Sequence, residues 1–235
     1  MISDALESIR RRMHAAAVRA GRDPTSVRLI AVSKGVPRAG VLEAYAAGHR
    51  LFGENYLREA KGKFNERLPA MELHLIGSLQ RNKVQDSVGF FDLIHSVDRL
   101  SLAQSIQKYA ERSAIRQPVL MQVNISSEES KSGIEPSAAL EFAREIRNLP
   151  AVELRGLMCI GTWHAPDASA ARRRAEFVAM RTLRDEIAQR LSCALPELSM
   201  GMSDDFEEAV EEGATYVRVG TAIFGPRSYG DSSAG

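Results

Sequence analysis

Little in this 235-residue chain points to a disulfide scaffold, a metalloprotein or a membrane protein. Its two cysteines, Cys159 and Cys193, lack the CxxC spacing of zinc and redox sites and fall in apolar patterns, so they read as packed thiols in a reducing compartment. The histidines, His14, His49, His74, His95 and His164, show neither HxxxH nor HxH spacing, and no metal is expected. No charge of one sign dominates, with Lys+Arg 31 against Asp+Glu 30, which leaves no field to attract nucleic acid or lipid headgroups. No apolar run approaches the roughly 18 residues a membrane helix needs. The N-terminal segment 1–21 carries Asp4, Glu7, Arg10, Arg11 and Arg12 and lacks the apolar core of a secretory signal. A cytoplasmic location is expected. Internal repeats and low-complexity segments are absent, and only the tail from Pro226 to Gly235 reads as flexible.

What is present is an ordinary globular composition, 44% hydrophobic and 26% charged, in a chain long enough for one large core. Ile2, Leu6, Ile9, Met13 and Ala17 recur at spacings of three and four, so residues 3–20 read as an amphipathic helix ended by Gly21. Strand-like and helix-like stretches then alternate. The predicted strands are Val27–Ser33, Arg50–Gly53, Glu72–Gly77, Phe91–Ser96, Val119–Ile125, Glu153–Met158, Glu197–Met200 and Tyr216–Val219. The predicted helices between them are Arg38–Ala47, Tyr56–Arg67, Arg81–Val88, Arg99–Ser113, Pro136–Asn148, Ala168–Ser192 and Asp204–Glu212. Such alternation implies βαβ units and a parallel sheet, and eight strands favour a closed (β/α)8 TIM-type barrel over an open doubly wound sheet. The expected organisation is one α/β barrel domain over 1–225, with the tail 226–235 outside it.

Barrels of this kind place chemistry where strands end and βα loops begin. Lys34 directly follows the run Leu29-Ile30-Ala31-Val32-Ser33, and burial at the rim of an apolar interior would lower its amine from the usual value of about 10.4, favouring Schiff-base formation with an aldehyde. A lone lysine after a strand is, however, more often a solvated surface residue. After strands 7 and 8, Gly201 and Gly220 allow close backbone approach, and the hydroxyls of Ser203 and Thr221 could grip a phosphate beside a helix N-terminus. Asp204 and Asp205 oppose that electrostatically, and Ser203 reads equally well as the N-cap of the next helix. Arg218 stands in the otherwise apolar Val217-Arg218-Val219-Gly220, where a guanidinium needs either a barrel carboxylate or an acceptor on a cofactor.

Seven collinear segments span nearly the whole chain: Ala31-Val32-Ser33-Lys34, Phe52-Gly53-Glu54-Asn55-Tyr56, His74 through Lys83, Ser130-Lys131-Ser132-Gly133-Ile134, Gly156-Leu157-Met158, Leu198 through Ser203, and Val217 through Gly225. Together they resemble the pyridoxal-phosphate homeostasis protein family. Leu73 and Leu75 depart from the aromatic residues usual there, and Trp163-His164 lies outside the pattern. The resemblance implies a barrel similar to the N-terminal domain of alanine racemase, with pyridoxal 5′-phosphate (PLP) joined to Lys34 as a Schiff base. By the same carry-over Ser203, Gly220 and Thr221 hold the phosphate, Arg218 faces the pyridine nitrogen or the phosphate, and Asn55 lines the cofactor.

An arginine at the ring nitrogen cannot give up its proton, which leaves the pyridine a weaker electron sink. Racemisation also needs a second acid/base, which the racemases take from a tyrosine of an added β-domain that has no counterpart in this sequence. The expectation is therefore a non-catalytic protein that buffers or delivers PLP, with effects on amino acid pools, and no catalytic residue is assigned. The alternative is a racemase-like enzyme using Tyr56, His74 or Lys131 as acid/base, although a mid-strand histidine such as His74 is more often a hydrogen-bonded core residue. A phosphosugar-type barrel enzyme with a Schiff-base lysine but no PLP is a third, weaker reading. Apo-PLP enzymes are the expected partners, a monomer the expected state, and Lys83 and Lys131 are candidates for a secondary surface.

Overall fold

The computed structural model describes residues 1–126, 132–161 and 169–226. Eight strands, β1 (Arg28–Val32), β2 (Leu51–Glu54), β3 (Glu72–Leu75), β4 (Leu93–Val97), β5 (Gln117–Val123), β6 (Val152–Cys159), β7 (Glu197–Ser199) and β8 (Tyr216–Val219), pair in sequence order as a closed parallel barrel. Closure is made by β8 against β1, with Ile30 opposite Arg218. The open sheet is thereby excluded, and each predicted strand lies within two residues of an observed one. Around the barrel run α1 (Ile2–Arg19), α2 (Arg38–Ala46), α3 (Leu57–Phe64), α4 (Val84–Ser87), α5 (Leu100–Arg112), α6 (Ala139–Arg147), α7 (Ala170–Arg190), α8 (Phe206–Glu211) and α9 (Thr221–Phe224). No helix among the described residues is long and apolar enough to cross a membrane. The tail beyond Pro226, Trp163-His164 and Lys131 lie outside the described residues.

Helix starts account for most of the differences from the sequence reading. Pro136 opens a single 3-10 turn before α6, and Arg81–Lys83 form another before the short α4. The helix expected from Asp204 begins at Phe206, because the Asp205 carboxylate accepts from the Met202 amide at 2.6 Å and closes a turn first. Ser203 is therefore not a helix N-cap.

The pleat sorts the core into two layers, since successive side chains leave opposite faces of a strand. Leu29, Ala31, Phe52, Leu73, Ile94, Val119, Leu157, Leu198 and Val217 face outward under the helices. Ile30, Val32, Leu51, Leu93, Leu120, Met158 and Tyr216 face inward and fill the barrel. Continuing the inward phase by one step past each strand brings Lys34 (after Ile30 and Val32), Asn55 (after Leu51 and Gly53) and Gly220 (after Tyr216 and Arg218) to the same mouth.

At the seam between α1 and β2, His49 is 5% exposed; one ring nitrogen donates to the Leu51 carbonyl at 2.6 Å, and the other accepts from Arg10 at 3.3 Å. Burial, with the neighbouring Arg10, Arg50 and Arg28 charges, lowers it from 6.5 to about 4. The unfolded chain then binds the proton more readily, so stability is full above pH 6.5 and falls as pH drops toward 4. The expected loss is about 3 kcal/mol at most. Urea midpoints followed from pH 7 to 4 should fall, and His49→Gln should flatten that slope; an unchanged slope would remove His49 from the account.

Candidate functional site

At the C-terminal mouth a cavity of about 350 Å³ is lined by Val32, Lys34, Asn55, Ile76, Ile160, Met202, Ser203, Asp204, Arg218, Gly220 and Thr221. All six residues singled out in the sequence thus meet in one place. Val32, Ile76, Ile160 and Met202 give an apolar wall, and the polar groups are contributed by the ends of β1, β2, β7 and β8. Lys34 is half-buried, Ser203 half-buried and Thr221 exposed. The lysine sits at the wall of the pocket rather than deep inside it, a wetter position than its sequence context suggests. Asp204, exposed at the rim, is the one carboxylate among the lining residues.

Arg218 is 6% exposed and reaches in from β8. Its partner is not a carboxylate: one terminal nitrogen donates to Ser199 Oγ at 2.7 Å and the other to the Cys159 carbonyl at 2.8 Å. These bonds use two of the five N–H donors of a guanidinium. Burial lowers its affinity for its proton from the usual 12.5, an effect opposed by the nearby Asp205 carboxylate. Cys159 is buried, as expected for a packed thiol, and Cys193 is partly exposed.

Beneath Lys34 lies a buried ion cluster. Lys63, from α3, is 8% exposed and donates to the Ser33 carbonyl at 2.5 Å, to Glu59 at 2.8 Å and to Glu54 Oε1 at 2.5 Å. Ser33 Oγ donates to the same Glu54 oxygen at 2.6 Å, and the Gly35 amide donates to Glu59. The residues on both sides of Lys34 are thus tied down by α3. Burial pushes the Glu54 carboxyl up, against the pull of Lys63 and Ser33, and Glu54 Oε2 has no hydrogen-bond partner among the described residues.

Asn55 is held by steric contact. A Cβ on Gly77 would lie 2.4 Å from the Asn55 carbonyl oxygen and 2.6 Å from its Cα, while Ser96 Oγ donates to the Gly77 carbonyl at 2.7 Å. The loops after β2 and β3 therefore pass in direct backbone contact. Gly201 serves packing rather than a ligand: its φ is +89°, and an added Cβ would lie 2.5 Å from Ala209 Cβ.

The sequence reading missed the groups that hold the pocket residues in place. Lys63 and Glu59, four apart on a helix, carried a visible signal; Glu54 stood inside a quoted segment without a role. His95 and Ser199 carried none beyond being polar in mid-strand. Among the described residues no cluster of His, Cys, Asp and Glu suits a metal ion.

The pocket suits a flat heteroaromatic ring bearing a phosphate and an aldehyde: apolar wall, hydroxyl and backbone donors on one side, a guanidinium below and an amine beside them. Residues 5–228 match the family described as "Alanine racemase, N-terminal domain". The chain is 46% identical over 231 residues to the pyridoxal phosphate homeostasis protein of Pseudomonas aeruginosa, covering 97% of each, and 43% identical to that of Aquifex aeolicus, covering 95% of this chain and 97% of the relative. Among solved structures it is similar to PipY of Synechococcus elongatus, solved without PLP (40% identity, TM-score 0.85, 96% of this chain and 100% of that one) and with PLP bound (39% identity, TM-score 0.83, the same coverage). Alanine racemase of Clostridium difficile shares the fold alone, at 13% identity and TM-score 0.70 over 88% of this chain and 54% of that one. The chain belongs to the pyridoxal phosphate homeostasis protein family, a single barrel like the N-terminal domain of alanine racemase.

Proposed function

We propose that this protein binds PLP in the C-terminal pocket as a Schiff base on Lys34 and holds it for delivery to apo-PLP enzymes, as a monomeric cytoplasmic carrier and not as a catalyst. The reading is carried by the convergence of Lys34, Asn55, Ser203, Arg218, Gly220 and Thr221 on one cavity. It is supported by the names of the relatives and by PipY solved with PLP bound. Ser203 and Thr221 hydroxyls and the backbone at Gly220 would hold the phosphate. Arg218 would donate to the ring nitrogen or the phosphate, and at the nitrogen it would keep a hydrogen bond without transferring a proton. Bound PLP supplies an electrophilic aldehyde and an electron-withdrawing ring.

Two observations favour holding over catalysis. His74 has both ring nitrogens engaged, by Glu72 at 2.8 Å and His95 at 3.0 Å, below the pocket. Tyr56 is 66% exposed and lines a neighbouring cavity instead. Neither is placed as an acid/base over the amine. Holo-protein reduced with borohydride should carry its label on Lys34, and L- or D-amino acids incubated with it in deuterated water should gain no deuterium at Cα. Label on another lysine would sink the site assignment, and rapid exchange would return the enzyme reading. Transfer to an apoenzyme, timed against a trap for free PLP, tests delivery.

A further inference from the structure

Through the middle of the barrel, where side chains are ordinarily apolar, runs an unbroken string of polar groups. Arg218 donates to Ser199 Oγ (2.7 Å); Ser199 Oγ lies 3.0 Å from His95 Nδ1; His95 Nε2 lies 3.0 Å from His74 Nδ1; and His74 Nε2 lies 2.8 Å from Glu72 Oε1. Ser199, His95 and His74 are each fully buried. The Tyr216 ring packs against both imidazoles, 5.3 Å from His74 and 5.8 Å from His95 between centroids. Glu72 is partly exposed at the opposite, N-terminal mouth, where Arg28 also donates to it.

With both imidazoles neutral, the two ends set the direction of every bond between them. A guanidinium only donates and an ionised carboxylate only accepts. Ser199 therefore receives from Arg218 and spends its own hydrogen on His95 Nδ1. His95 must then carry its proton on Nε2 and donate to His74 Nδ1, and His74 must carry its proton on Nε2 and donate to Glu72. Both rings then share one tautomer, with the proton on Nε2. Burial above all, with the Arg218 charge beside it, holds His95 well below the usual 6.5. Burial would raise the Glu72 carboxyl, but His74 and Arg28 override it and bring it to about 2.

Resting on the reading that Arg218 meets the cofactor, we propose that Ser199, His95 and His74 are positioning residues for PLP binding: a one-directional string anchored at Glu72 that orients the Arg218 guanidinium under the pocket. Apolar packing alone would leave the guanidinium free to turn within its plane. With both rings neutral the string allows one orientation, because reversing any link sets two donors or two lone pairs against each other.

The test uses three forms of the full chain, wild type, Ser199→Ala and Ser199→Thr, the last keeping the hydroxyl. Nitrogen NMR of the imidazoles in wild type should show the proton on Nε2, and none on Nδ1, of both His74 and His95 at neutral pH. PLP titration of Ser199→Ala should show affinity about tenfold weaker, the size of one lost charge-assisted hydrogen bond. The visible band of its Lys34 adduct should titrate at lower pH, since a displaced Arg218 lets the ring nitrogen take a proton and draw electrons from the adduct. Ser199→Thr should restore both, which a general loss of packing would not. A His74 or His95 protonated on Nδ1 in wild type overturns the string even if the alanine variant does not fold. Borohydride labelling of the same samples separates the two levels. Lys34 labelled, with Ser199→Ala matching wild type in affinity and titration, overturns the positioning role alone. Lys34 unlabelled in wild type removes the cofactor reading and this proposal with it.

Discussion

Replacing Lys34 with alanine should abolish the borohydride-fixed label and weaken PLP binding by on the order of 100-fold, about 2.7 kcal/mol. The side chain is half-buried at the pocket wall, so fold stability should move by no more than about 0.5 kcal/mol. Lys34→Arg separates charge from nucleophilicity: it keeps a cation beside the phosphate site but has no amine to condense with an aldehyde. It should bind PLP more tightly than the alanine variant while remaining unlabelled. Wild-type labelling in either variant would move the covalent site elsewhere. Peptide mapping after reduction, paired with a PLP titration and a urea curve, reads all three quantities.

The largest loss of stability is expected one layer down. Lys63→Met removes the ammonium paired with Glu54, which is fully buried, and with it the donor to the Ser33 carbonyl. Breaking one partner of a buried pair costs about 3–5 kcal/mol. The loss should depend on pH in a stated direction. The Glu54 carboxyl already stands above its usual range because of burial, and removing Lys63 raises it further. A carboxyl raised in the folded state favours the fold at low pH and penalises it as pH climbs through the folded value. The gap between variant and wild type should therefore narrow on acidification, measured as urea midpoints at matched pH. Lys63→Met with Glu54→Gln should recover part of the neutral-pH loss, because an amide carries no charge to strand. A gap that widens in acid would show that Glu54 does not carry the effect.

The barrel was legible because apolar strand runs and helical periodicities alternate eight times. The pocket residues were legible because they stand at or just past strand ends, with Lys34, Asn55 and Gly220 in phase with inward-facing neighbours such as Val32 and Tyr216. One helix-start signal misled: Ser203 before two aspartates has the look of an N-cap, yet Asp205 takes the local amide and moves the helix start to Phe206. What stayed hidden depends on closure. His95 on β4 and Ser199 on β7 lie on strands that are not neighbours, and they meet at 3.0 Å only because the sheet curls into a cylinder. Their segments, Leu93-Ile94-His95-Ser96-Val97 and Glu197-Leu198-Ser199, read like any half-polar strand. Lys63 is a different failure: the pairing with Glu59 is local and readable, but burial of the ammonium beneath Lys34 is a tertiary fact.

The seam between β8 and β1 also bears on how the protein matures. Lys34 and Asn55 belong to the first quarter of the chain, whereas Ser203, Arg218, Gly220 and Thr221 belong to its last 33 residues, and Ile30 opposite Arg218 joins the two regions. A nascent chain carries two of the six site residues long before the other four exist, and pairing so distant in sequence is the slow kind of contact. The pocket is therefore a late product of folding. A ligand that binds only the closed cylinder shifts the population toward it by mass action, so PLP supply and the fraction of mature barrel are thermodynamically linked.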